Sequence, residues 1–317
     1  MSLVSIFATA ILPIATISVV GFVLGRFRDI DPGPLNTVTV YVLAPALVFH
    51  SLATTTLAVG TLVEVAVGVV AYIAAMIVLA EGVGRLVGGT TTGVSAIVLV
   101  SAFPNSGNFG IPVSEFAFGE TGRATAVLFL AVQAVLMYTV GVYIAARGNS
   151  EGALAGVRRV FTVPLVYAVL AALGMRALEV VPPTGTTAMA TLKLVGDSAI
   201  PVMLLILGLQ LAETDYGAAL RQVGIATVLK IGVAPIVAAS VALVIGFSDP
   251  TVGRVFVLES AMPAAITPLI LLVEFGEGDV GGVPVESFVS TVVLVTTLVS
   301  LPVLTGIIAL LNAGVLF

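Results

Sequence analysis

Cysteine is absent from this chain, which excludes disulfides, thiolate catalysis and cysteine-based metal sites. A single histidine, His50, leaves no material for a histidine-cluster metal site. Charge is scarce too. Only 9% of residues are Asp, Glu, Lys or Arg, against about 25% in an average soluble domain. The net charge of −5 is spread over short connections and forms no basic patch for nucleic acid. No Gly-x4-Gly-Lys-Ser/Thr sequence occurs, so ATP hydrolysis is not encoded. No nucleophile elbow occurs either; Asn105-Ser106-Gly107 is not one. Paired catalytic aspartates are missing, and His50 is poorly placed relative to any obvious serine. The chain reads as a non-enzyme without a cofactor.

What remains is apolar. Of 317 residues, 59% are hydrophobic, and the mean hydropathy is +1.22. No soluble fold of this size has interior enough for that surface, so lipid must be the solvent for much of it. A bilayer core asks for about 20 apolar residues per helix. That measure gives ten spans: Leu3–Leu24, Leu35–Leu57, Leu62–Leu86, Thr92–Phe118, Ala124–Ala146, Val160–Ala177, Ala188–Ala212, Ala218–Ile245, Val252–Phe275 and Ser287–Leu311. The first run lacks a basic leader and a clear cleavage site, so it reads as a retained span. The expected class is an all-α polytopic membrane protein, multi-pass in the cell (plasma) membrane. Arg26, Arg28, Arg85, Arg147, Arg158, Arg159 and Arg221 fall on one set of loops, and only Arg123, Arg176 and Arg254 on the other. Positive loops stay inside, which puts both termini outside.

Spans four and nine are broken. Span four contains Pro104-Asn105-Ser106-Gly107-Asn108-Phe109-Gly110-Ile111-Pro112, and span nine contains Met262-Pro263-Ala264-Ala265-Ile266-Thr267-Pro268. Pro104, Pro112, Pro263 and Pro268 cannot sit in continuous helices without freeing backbone groups. At membrane depth such groups persist only where protein or a water-filled cavity satisfies them. The two halves run in parallel. Pro45 to Pro104 is 59 residues, Pro201 to Pro263 is 62, and each broken span runs on to Phe-Gly-Glu. Five spans is an odd number, so the second half enters from the opposite side. The expectation is two inverted five-helix repeats, residues 1–147 and 160–317, joined by a short cytoplasmic linker at 148–159. Broken helices in inverted repeats support alternating access in transporters.

Several residues are candidates for the chemistry. Asn105 and Asn108 offer amides that donate and accept. Gly107 and Gly110 let backbone approach a ligand. The half-helix starting near Ile111 presents a positive end suited to a carboxylate. The second break contributes Pro263, Ile266 and Thr267, mostly as backbone and shape. Gln133 and Tyr138 of span five complete a polar shell. Ionisable residues inside the bilayer are costly and mark function. Glu259 lies four residues before Pro263 and is a candidate for binding a cation or carrying a proton. Lys230 is mid-span, a partner for Glu259, for Asp197 or for an anionic substrate, or a snorkelling residue. Asp197 either joins that site or pairs with Lys193 at i, i+4.

These residues resemble the auxin efflux carrier family, PIN-like carriers included, over nearly the whole chain. Asn105-x4-Gly110-Ile111-Pro112 is similar to the family's first crossover and Pro263-x4-Pro268 to its second. Gln133-x4-Tyr138-Thr139 and Ser290-Thr291…Leu301-Pro302 are similar to its fifth and tenth helices. The resemblance implies ten helices in two inverted repeats, with helices four and nine crossing. It implies a scaffold of helices 1, 2, 6 and 7 and a transport domain of helices 3–5 and 8–10. It further implies elevator-type transport of a small organic anion, coupled to Na⁺ or H⁺, and a homodimer in the lipid bilayer. Distant likeness to bile acid:sodium symporters makes Glu259 a candidate Na⁺ ligand. A sodium symporter of that type, or a passive channel, is the alternative.

Overall fold

A computed structural model of the chain describes residues 3–28, 30–87, 89–147, 164–212, 220–275 and 279–315. The linker expected at 148–159 lies outside them. The elements are α1 (residues 3–28), α2 (Gly33–Thr54), α3 (Val59–Leu86), α4 (Thr91–Ala102), α5 (Ser106–Ala145) and α6 (Pro164–Ala177). There follow α7 (Thr187–Ala212), α8 (Leu220–Ile245), α9 (Pro250–Ser260), α10 (Thr267–Phe275), a ribbon of β1 (Asp279–Val280) and β2 (Val283–Pro284), and α11 (Val285–Asn312). The protein is mostly helical. Among the described residues, six helices (α2, α3, α5, α7, α8 and α11) are long and apolar enough to cross a membrane. Large apolar side chains such as Val63 and Val78 of α3 and Val244 of α8 face outward, as they do where lipid replaces water.

Local chemistry sets the helix ends. Thr90 caps α4 by accepting from the Gly93 N–H at 3.1 Å. Asp249 caps α9 by accepting from the Thr251 N–H at 2.7 Å, with Pro250 at the first helical position. Gly246 closes α8 in the left-handed conformation. The apolar pattern separates spans four and five at residues 118–124, and α5 kinks there: two helical stretches meet at Gly119 (φ 64°, ψ −146°). Only glycine takes those angles without strain.

Two packing groups emerge. In one, α1 lies on α7, and α2 lies on α6 and α7. The α1–α7 contact is made by glycines: a Cβ on Gly208 would overlap the Ser18 carbonyl, and one on Gly21 the Leu205 carbonyl. Small residues at such crossings let backbones approach closely. In the other group α3 packs on α4 and α5, and α9 on α5 and α8. Its centre is an aromatic cluster: Phe256 lies 6.4 Å from Tyr72 edge-on, 5.8 Å from Phe129 and 5.2 Å from Phe247, centroid to centroid.

Candidate functional site

The two breaks meet. Pro104 and Ala264 form an antiparallel bridge. Asn105 N–H donates to the Pro263 carbonyl at 2.8 Å, and Ala265 N–H donates to the Phe103 carbonyl at 3.2 Å. Each broken helix thereby satisfies backbone groups that the other's proline-bound geometry left over. Two side chains finish the task. Gln133 of α5 donates its amide to the Pro104 carbonyl at 2.8 Å and accepts from the Ser106 hydroxyl at 3.1 Å. Thr296 of α11 accepts from the Ala264 N–H at 3.1 Å. The freed backbone is thus met by the bridge, Gln133 and Thr296, not by the asparagine side chains. Immediately after the bridge the chain makes a wide π turn over Ser106–Gly110, closed by Gly110 N–H donating to the Asn105 carbonyl at 2.9 Å.

A cavity of about 390 Å³ opens beside the bridge. Its walls include Pro104, Asn105, Gly107 and Asn108 at the start of α5, and Ile266 and Thr267 at the start of α10. Gln133 and Tyr138 also line it. The far wall carries Asn36 and Thr39 of α2 and Met203 and Gln210 of α7, which no sequence motif singles out. The starts of α5 and α10, whose helix dipoles are positive there, therefore border one cavity. That arrangement suits an anion.

Behind the bridge, outside the cavity lining, lies Glu259. It is fully buried, and its Oε1 accepts from the Ser114 hydroxyl at 2.6 Å. Oε2 has no hydrogen-bond partner among the described residues. The carboxylate rests against Gly110, where a Cβ would overlap it. Lys230 is also fully buried; it does not snorkel. Its Nζ donates to the Ser260 carbonyl at 3.1 Å and to the Tyr72 hydroxyl at 3.2 Å.

A hard cation such as Na⁺ is held by several oxygens at once. Among the described residues no cluster of three or more His, Cys, Asp and Glu side chains could hold a metal. One Glu259 oxygen is engaged by Ser114.

A family model described as "Membrane transport protein" matches residues 6–308. The chain belongs to the auxin efflux carrier family. It is a membrane-spanning transporter and not an enzyme. Among its relatives is an "Uncharacterized transporter" of Methanothermobacter thermautotrophicus, 28% identical over 88% of this chain and 90% of that one. Another, of Rhizobium meliloti, carries the name "Putative malonate transporter" and is 23% identical over 96% of each chain.

In this family member the structure assembles some of the sequence candidates and separates others. Asn105, Gly107, Asn108, Gln133, Tyr138, Ile266 and Thr267 share the cavity. Gly110, Ile111 and Pro263 do not line it; they build the turn and bridge behind it. Pro112 starts the regular part of α5 and Pro268 that of α10. Asp197 is not brought to Glu259. It faces a second, charged cavity of about 230 Å³, where Arg123 donates to it at 2.7 Å and Lys193 at 2.5 Å. Arg123, which the sequence presents only as a loop charge, is in fact buried and also donates to Ser51 of α2 at 3.0 Å. Thr296 escapes sequence reasoning as well. Thr296 is one of several Ser and Thr positions along α11, Ser290, Thr291, Ser300 and Thr305 among them, so the sequence does not single it out.

Proposed function

We propose that this transporter is a secondary active carrier of a small organic anion, working by elevator-type alternating access at the crossover. The observation that supports this best is the convergence of the α5 and α10 N-termini, with Asn105 and Asn108, on one cavity. A carboxylate there gains N–H donors, amide donors and two positive helix ends at membrane depth. The malonate named for one relative is an anion of fitting chemistry, so a small dicarboxylate is the substrate class to try first.

On this reading ten membrane passes form two inverted repeats, residues 1–147 and 160–317. The breaks after α4 and α9 mark the crossing helices. The group α1, α2, α6 and α7 is the scaffold, and the remaining helices carry the site. Both termini face outward across the cell membrane, and the carrier works as a homodimer. Glu259, one residue before the α9 end and touching the α5 turn through Gly110, is the coupling group.

Counterflow of labelled malonate and related acids in proteoliposomes tests the anion reading. Saturable counterflow that Asn105→Ala abolishes, in a variant that still folds, is the expected result. Conductance without saturation would point instead to a channel. Glu259→Gln should change the dependence of transport on pH; a variant with the parent's pH and sodium profile would remove Glu259 from coupling.

A further inference from the structure

A second large hollow lies away from the crossover. It is a groove of about 750 Å³ between α6 on one side and α3 and α5 on the other. Each wall is one helix face. Residues from Val59 to Val70 line it on α3, from Leu128 to Leu136 on α5 and from Val166 to Leu173 on α6, all at helical spacing. Val63, Val70 and Leu170 are exposed, so the groove is open to whatever surrounds the helices. Because α6 packs on α2 and α3 packs on α4 and α5, the groove marks the joint between the two packing groups.

Every lining side chain but one is apolar. The exception is Arg176, in the last turn of α6. Its Nη2 donates to the Leu57 carbonyl at 2.6 Å, two residues before α3 begins, which pins the guanidinium at the Val59 end of the groove. Its Nη1 is buried and has no hydrogen-bond partner among the described residues. A snorkelling arginine keeps its head in water; this one does not. Other arginines near helix ends have carboxylates: Arg85 and Arg147 share Glu81, and Arg123 has Asp197. A buried guanidinium nitrogen without an acceptor is costly, and phosphate oxygens match its geometry.

Length adds a second constraint. Val59 to Val70 covers about 16 Å at ~1.5 Å per residue, close to half of a hydrocarbon core of about 30 Å. The groove is therefore one leaflet deep, apolar along its length and cationic at its end. We propose that it seats one phospholipid from the leaflet on the side of Arg176, with the phosphate on the guanidinium and an acyl chain between α6 and α3. On the elevator reading this lipid lines the surface along which the moving group slides. The binding itself rests on the groove alone and is independent of which solute is carried.

The chain has no tryptophan, so one introduced indole reports on one place. Val70→Trp sets it on the groove wall, and Val78→Trp sets it on the same helix, exposed and outside the groove. Each variant, purified in detergent, is titrated with phosphatidylglycerol brominated on its acyl chains, which quench indole fluorescence on contact. Val70→Trp should be quenched at a much lower lipid concentration than Val78→Trp. Brominated diacylglycerol, which keeps the chains and lacks the phosphate, should lose that advantage. Adding Arg176→Gln to Val70→Trp should weaken phosphatidylglycerol by about tenfold or more, the scale of one lost charge-assisted hydrogen bond. Leu170→Trp repeats the reading from the α6 wall. Equal quenching at the groove and outside it overturns the proposal, and so does equal quenching by phospholipid and diacylglycerol at Val70→Trp. Both comparisons keep Arg176, so they hold even if Arg176→Gln fails to fold. Phospholipid quenching that Arg176→Gln leaves unchanged also overturns it. A brominated fatty acid that quenches Val70→Trp at lower concentration than the phospholipid overturns it by making a free acid the occupant. If the lipid responses appear but wild type exchanges no malonate or other small acid, the anion reading fails and the lipid seat stands.

Discussion

Gly110 and Glu259 touch across the crossover with no side chain between them: the glycine's bare Cα face is the floor on which the buried carboxylate rests. The contact joins α5 to α9 just behind the bridge, and it makes glycine a requirement at 110 although its backbone angles are ordinary there. Gly110→Ala should therefore push the carboxylate off Ser114 or open the π turn. Overpacking of this kind costs about 1–3 kcal/mol. Thermal unfolding of Gly110→Ala, Glu259→Ala and the double variant checks it. The double variant should lose less than the sum of the two, because removing the carboxylate makes room for the methyl group.

Gln133 is predicted to matter more for architecture than its single position in α5 suggests. Gln133→Leu strands the Pro104 carbonyl and the Ser106 hydroxyl in a buried setting. Each unsatisfied buried group costs about 1–3 kcal/mol. Thr296→Val removes the acceptor for the Ala264 N–H in the same way. Both variants should unfold earlier and lose counterflow together, whereas Asn105→Ala should lose counterflow with little change in Tm.

Asn108 lies on the cavity wall and is only partly buried. Asn108→Ala should weaken anion binding by an order of magnitude or so, the scale of one lost charge-assisted hydrogen bond at about 1.5–3 kcal/mol. Asn108→Asp should weaken it further, since it sets a carboxylate against a carboxylate. Titration of malonate by thermal shift measures both.

The α1–α7 crossing provides a contrast within one residue type. Gly208→Ala places a methyl group on the Ser18 carbonyl and should destabilise the transporter by about 1–3 kcal/mol. Gly174, inside α6, has open space where an alanine methyl group would sit, with nothing within 4 Å. Gly174→Ala should be neutral or stabilising by about 0.4–1 kcal/mol, because it restrains the unfolded chain. Paired unfolding curves in one detergent separate the two outcomes.

Arg123 ties α5 to α2 through Ser51 and to α7 through Asp197. On the elevator reading these contacts bridge scaffold and moving part, so Arg123→Leu should alter the balance between conformations. Asp197 keeps Lys193 as a partner, but Glu115 and Ser51 lose the arginine, so thermal unfolding of the same variant should show a lower Tm as well. Accessibility of a cysteine introduced at Thr54, read by a membrane-impermeant maleimide, should rise if the arginine holds this face closed, and stay unchanged if it does not.

Composition determined the solvent of this protein, and the clustering of proline and glycine at 104–112 and of proline at 263–268 marked where two helices break, because several freed backbone groups fall together there; single prolines such as Pro302 stay inside a continuous helix. The sequence also marked Asn105, Gln133 and Glu259, since polar groups in apolar runs stand out without any partner being known. Pairing was decided by the tertiary structure alone. That Pro104 lies against Ala264, that Thr296 answers the second break as Gln133 answers the first, that Asp197 belongs to Arg123 and Lys230 to Ser260 are contacts between segments 29 to 160 residues apart. Their geometry follows from how whole helices pack, and a linear pattern holds no record of which faces meet.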